Sequence, residues 1–158
     1  MLVTIDNRGS QEERSALLAL GHGRRTGAGR EPLVLVVDDM SDARQICAEY
    51  LEYRHYRVET AEDGLEALVK ARELRPDLIL MDLSMPRLDG CEATRRLKSD
   101  ARTAAIPIIA VTAHGSSGAP EQALDAGCVA VVMKPVPLRD LEGEIRRALA
   151  GGGSGSPA

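Results

Sequence analysis

The sequence predicts an α/β fold: a doubly wound, five-stranded parallel sheet with helices on both faces. Three observations predict it. Short apolar runs at 33–37, 77–81, 106–111 and 128–133 alternate with stretches of helical period, the rhythm of successive βαβ units. These runs are continuously apolar, as strands buried on both sides should be. A length of 158 residues suits about one domain with extensions.

Residues 1–31 are expected to form a flexible N-terminal arm. Ser10 and Glu13 make a capping-box pattern for a short helix to Leu20, but the following GHGRRTGAGRE has no apolar period. The folded domain is expected over 32–150. Its first strand is Leu33 to Val37, and the next helix runs from an N-cap at Ser41 to about Arg54, with Ala43, Ile46, Cys47, Tyr50 and Leu51 on one face. A weaker strand follows at Arg57 to Thr60. The second helix places Leu65, Leu68, Val69 and Leu74 at helical steps, and the third places Ala93 and Leu97. The fourth, near Glu121 to Ala126, is the shortest. The fifth carries Leu138, Leu141, Ile145 and Leu149. The last eight residues, GGGSGSPA, have the composition of a flexible tail.

Hydrophobic residues make up 44% of the chain, yet Phe and Trp are absent and Tyr occurs three times, so the core must be aliphatic. No apolar run approaches the roughly 20 residues that span a bilayer, and the N-terminus lacks the apolar stretch of a secretory signal. A net charge of −4 gives no reason to expect nucleic-acid binding by this chain alone. Cys47, Cys91 and Cys128 are scattered and odd in number, which argues against a disulfide framework or zinc site and for reduced thiols in the cytoplasm. Seventeen arginines accompany only Lys70, Lys98 and Lys134, so each lysine invites a question about its role.

In an open parallel sheet, ligands bind beyond the carboxyl ends of the strands. Asp38 and Asp39 follow the first apolar run, Asp82 ends the third, Thr112 the fourth and Lys134 the fifth. Three carboxylates converging on one crevice repel one another unless a cation neutralises them. Mg²⁺ suits such a site, since it accepts a few carboxylates together with carbonyl, water and phosphate oxygens. An ionised carboxylate there can attack phosphorus to form an aspartyl phosphate, with Lys134 and the Thr112 hydroxyl as donors to the phosphoryl oxygens. Each residue alone has a plainer reading: a helix-capping Asp pair, a solvated loop Asp, a strand-ending Thr, a surface Lys. Their joint order is what carries the chemistry. Met81 and Met85 read as packing residues. Ser84 and His114, each two positions beyond a site residue, are candidates for tuning loss of the phosphoryl group.

The segments LVLVVDDM (33–40), AEDG (61–64), PDLILMDLSMPRLDG (76–90), PIIAVTA (107–113) and VVMKP (131–135) together resemble the receiver domain of bacterial two-component response regulators. The resemblance spans about residues 33–150. It implies a flavodoxin-like receiver fold with sheet order 2-1-3-4-5 and a cis peptide between Lys134 and Pro135. It implies Asp82 as phosphoacceptor, Asp39 as principal Mg²⁺ ligand with Asp38 beside it, and the main-chain carbonyl of Ser84 as a further ligand. Thr112 and Lys134 would bind the phosphoryl group, and Gly90 would relieve the turn opening the third helix. The implied donor is a histidine kinase or histidine phosphotransfer protein, and the implied target is a downstream protein.

Two features depart from the family pattern. Receivers of the common type carry Tyr or Phe three residues before the lysine, where this chain has Val131, which has no ring to swing inward. The response is therefore expected to travel through the fourth strand and the loop 114–120, HGSSGAP. Only a Gly/Ser tail follows the last helix, so a single-domain regulator or a receiver excised from a longer protein is expected. The alternatives are a phosphorelay intermediate and a receiver-like scaffold that works without phosphorylation. A phosphatase of the dehalogenase type would need a second acid two residues after Asp82, where Ser84 stands. The chain is expected to be no enzyme beyond its own phosphorylation and dephosphorylation.

Overall fold

The computed structural model describes residues 29–85, 88–113 and 118–151. The expectations for residues 1–28, for His114 and most of its loop, and for the tail from 152 lie outside the described residues. Among the described residues ten elements alternate: β1 (Leu33–Val37), α1 (Ser41–Tyr53), β2 (Arg57–Ala61), α2 (Gly64–Leu74), β3 (Leu78–Asp82), α3 (Gly90–Ser99), β4 (Ile108–Thr112), α4 (Ala119–Ala126), β5 (Ala130–Met133) and α5 (Leu138–Ala150). All strand pairs are parallel, in the order β2-β1-β3-β4-β5.

The two faces of the sheet divide the apolar residues by strand parity. Leu35, Val37, Ile79, Met81, Ile108 and Ala110 meet Ala67, Leu68, Ala93, Leu97 and Ala123 from α2, α3 and α4. Val34, Val36, Leu78, Leu80, Ile109 and Val111 meet Cys47, Leu51, Leu141 and Ile145 from α1 and α5. This is why β1, β3 and β4 are apolar at every position, whereas edge strand β2 alternates and edge strand β5 is only partly buried.

Four details differ from the sequence reading. Met40, not Ser41, is the N-cap of α1, without a side-chain cap; the Met40 amide instead donates to Asp38 Oδ1 at 2.9 Å. The buried face of α2 is Gly64, Ala67, Leu68 and Ala71, while Leu65, Val69 and Leu74 are exposed. Small residues face inward because the helix start packs tightly: a Cβ on Gly64 would lie 2.6 Å from the Leu88 carbonyl oxygen. Strands β3 and β4 begin at Leu78 and Ile108. Asp77 just ahead of β3 accepts from the Leu33 amide through its carboxylate at 2.7 Å. Finally, Gly90 has no positive φ; it is needed because a side chain there would strike the backbone at the end of β3.

Left-handed backbone does occur at Gly127, φ 117°, which closes α4 and turns the chain into β5. The Lys134–Pro135 peptide is cis. Cys47 and Cys128 are buried and Cys91 partly so, all as free thiols. Among the described residues no helix is long and apolar enough to cross a membrane.

Candidate functional site

Strand register brings the polar residues together. Val37 pairs with Met81, so Asp38 and Asp82 emerge side by side, and Asp82 pairs with Val111, so Thr112 stands one step further along. Thr112 pairs with Met133, and its carbonyl accepts from the Lys134 amide at 2.7 Å. Carboxylate oxygens of Asp38, Asp39 and Asp82 all lie within 4.8 Å of one another.

The three acids are held differently. Asp38 is held at three points: its amide donates to the Ala61 carbonyl at 3.1 Å, Oδ1 accepts from Met40, and Oδ2 lies 3.3 Å from Lys134 Nζ. Asp82 is 4% exposed. Its Oδ1 accepts from the Ser84 amide at 2.9 Å, and its Oδ2 lies 3.6 Å from Lys134 Nζ. Asp39 is exposed, and its carboxylate accepts no hydrogen bond from the described residues. Asp39 thus has both oxygens open, while Asp38, with lone pairs still available, is the pinned member of the pair.

Burial pushes the Asp82 carboxyl up to about 6. The Ser84 amide and Lys134 oppose that rise, and the charge of Asp38 adds to it. Burial works against the Lys134 ammonium, but Asp82 and Asp38 outweigh it and raise the amine above its ordinary value. One ammonium among three carboxylates leaves excess negative charge at the mouth of the sheet. A divalent cation such as Mg²⁺ fits that all-oxygen donor set.

Thr112 is 1% exposed, and its Oγ1 is buried without a hydrogen-bond partner among the described residues. A buried hydroxyl left unsatisfied is unfavourable, so this group is built to meet an acceptor. A cavity of about 210 Å³ opens beside it, lined in part by Ser84, Asp89, Thr112 and Gln122. Ser84 itself is exposed on the rim. Met81 and Met85 are buried in the core, as packing residues should be, and Val131 is partly buried against the α2–α3–α4 side.

Sequence reasoning missed Arg44, whose Nη1 donates to the Asp38 carbonyl at 2.7 Å. Its only sequence signal is its place on the first turn of α1, five residues beyond Asp39.

Comparison with known proteins agrees with this architecture. A family model described as the response regulator receiver domain matches residues 34–146. The chain is 41% identical over 103 residues to the polar-differentiation response regulator DivK of Brucella anthropi, covering 65% of this chain and 84% of that protein. It is similar to chemotaxis protein CheY4 of Vibrio cholerae (31% identity, TM-score 0.71, covering 75% of this chain and 98% of that one). It is also similar to the receiver domain of sensor histidine kinase PA1611 from Pseudomonas aeruginosa PAO1 (32% identity, TM-score 0.71, covering 76% and 98%), a structure described with a magnesium ion coordinated in the active site cleft.

Proposed function

This chain belongs to the response regulator receiver domain family of two-component systems, and from that membership we propose that Asp82 is its phosphoacceptor. The observation that carries the reading is the constellation around Asp82: a buried carboxylate within 4.8 Å of two others, beside Lys134, with the buried Thr112 hydroxyl, which has no partner among the described residues, at the end of the neighbouring strand.

In the proposed reaction an ionised Asp82 oxygen attacks the phosphorus of a phosphohistidine on a histidine kinase or histidine phosphotransfer protein. The O–P bond forms as the P–N bond breaks, and the donor imidazole leaves with the bonding electron pair. Asp39, as principal ligand with Asp38 beside it, would hold Mg²⁺ together with Asp82 and the main-chain carbonyl of Ser84. When bound, the ion supplies neutralisation of the charge shared by carboxylates and phosphoryl oxygens. Lys134 is placed to move its ammonium from the Asp38 and Asp82 carboxylates onto a phosphoryl oxygen, a charge-assisted contact. The Thr112 hydroxyl donates to another. Attack of water at phosphorus later returns the Asp82 carboxylate and inorganic phosphate, so the domain turns over only its own phosphoryl group. The phosphorylated state would change affinity for a downstream protein. With Val131 in place of a ring, the β4–α4 connection carries that change.

Incubation of the full chain with acetyl phosphate and Mg²⁺, followed by intact mass measurement, tests this. Gain of one phosphoryl group, absent in Asp82→Asn and without divalent cation, is the expected result. Equal labelling of Asp82→Asn would reject the assignment.

A further inference from the structure

We propose that Arg44 is a positioning residue for Asp39, fixing the peptide unit on which this carboxylate is mounted and so setting the affinity for Mg²⁺. The inference rests on the reading of the acidic cluster given above.

The carbonyl that Arg44 grips at 2.7 Å belongs to the peptide linking Asp38 to Asp39. A peptide unit is rigid, so holding its oxygen fixes the direction from which the Asp39 side chain departs. The amide of the next peptide, Met40 N, is fixed by Asp38 Oδ1 at 2.9 Å. Asp39 therefore lies between two anchored peptides while its own carboxylate stays free of hydrogen bonds from the described residues. Its position is imposed through the backbone and not through its side chain.

Arg44 can do this because it is itself constrained. Its side chain is 15% exposed. Its amide donates to the Met40 carbonyl at 3.0 Å as α1 begins, so the guanidinium reaches back over the same loop that its backbone closes. The other branch, Nη2, lies 3.8 Å from Glu62 Oε1 on the β2–α2 connection. Glu62 is largely exposed, and such a long, solvated pair contributes little. The contact that matters is the one to the Asp38 carbonyl.

Charge and positioning make opposite predictions, which gives the test a sign. A guanidinium beside a cation site repels the cation, so if charge alone mattered its removal would tighten Mg²⁺ binding. If Arg44 orients Asp39, removal loosens it, and loss of a group that orients a metal ligand typically weakens affinity about 10- to 100-fold.

The experiment is calorimetric titration of the unphosphorylated full chain with MgCl₂. Wild type is compared with Arg44→Met, Arg44→Lys and Glu62→Gln, each checked for cooperative thermal unfolding. Expected are affinity at least about tenfold weaker in Arg44→Met, recovery to within about threefold in Arg44→Lys, and less than about twofold change in Glu62→Gln. The magnesium concentration needed for half-maximal Asp82 labelling should shift by the same factor in Arg44→Met. Unchanged or tighter binding in Arg44→Met, or failure of lysine to restore it, would overturn the proposal while leaving the phosphoacceptor reading intact. Absence of magnesium binding in wild type would overturn both.

Discussion

Gly90 sits so close to Asp82 that a Cβ on it would lie 2.4 Å from the Asp82 carbonyl oxygen and 2.9 Å from the Leu83 Cα. The start of α3 is thus pressed against the backbone that carries the central carboxylate. Thr94 ties the same turn from inside, its Oγ1 donating to the Gly90 carbonyl at 2.7 Å.

Substituting Gly90→Ala should therefore act on the site as well as on stability. Both obstructing atoms are backbone, so relief requires α3 or the end of β3 to shift. We expect a loss of about 1–3 kcal/mol, the range for an overpacked core, together with slower Asp82 phosphorylation at saturating Mg²⁺. Urea denaturation and mass-based labelling measure the two effects, and wild-type behaviour in both would show that the backbone yields freely.

Thr112→Val separates folding from function. Valine keeps the shape and removes a hydroxyl that has no partner among the described residues, so stability should be equal to wild type or higher by about 1 kcal/mol. Phosphoryl transfer should fall, because a donor to the phosphoryl oxygens is gone. A variant that loses stability instead would mean that the hydroxyl is satisfied in solution.

Much of the fold was readable because each strand-ending polar residue follows an uninterrupted apolar run, and parallel register then aligns those ends without further information. The faces of α2 were not readable. Hydropathy places Leu65, Val69 and Leu74 inward, but Gly64, Ala67 and Ala71 face the core because close packing there selects for small side chains. The acidic residues were legible as a group, yet the division of labour between pinned Asp38 and open Asp39 depends on hydrogen bonds from Met40 and Lys134. Arg44 could not be found from sequence, since its partner is a main-chain carbonyl.

Glu142 presents a second such case, a carboxylate on α5 that is 4% exposed and faces Tyr50 of α1 and Arg54 at its C-terminal cap. Arg54 Nε donates to both of its oxygens at 3.2 and 3.1 Å, and Tyr50 Oη lies 3.4 Å away. Arg54→Ala leaves that charge buried with weaker compensation from Arg146, whose Nε is 3.9 Å distant. Because Arg54 is partly exposed, we expect a loss of about 1–3 kcal/mol, below the range for a fully buried pair. The double variant Arg54→Met/Glu142→Leu should recover most of it. Denaturant midpoints of wild type and these two variants decide this, and a double variant no more stable than Arg54→Ala would exclude the coupling.

The last prediction concerns pH in a chelator, where no divalent ion shields the acids. The Asp82 carboxyl stands at about 6 in the folded chain against an ordinary value of 3.8, so between those limits the folded state binds the proton that the unfolded state releases. Stability then falls as pH rises through the window from about 4 to about 6, and the full effect persists above it. The displacement amounts to roughly 3 kcal/mol, with Asp38, Asp39 and Lys134 as the charged groups facing Asp82. Asp82→Asn abolishes the titration, so near pH 7 that variant should be the more stable protein, while near pH 4 the two should converge. Adding Mg²⁺ at pH 7 should raise the wild-type midpoint and leave the variant nearly unmoved, because binding to the folded state alone stabilises it. Denaturation curves collected from pH 4.5 to 7.5 read out both effects, and parallel profiles for the two proteins would mean that the Asp82 carboxyl titrates in its ordinary range.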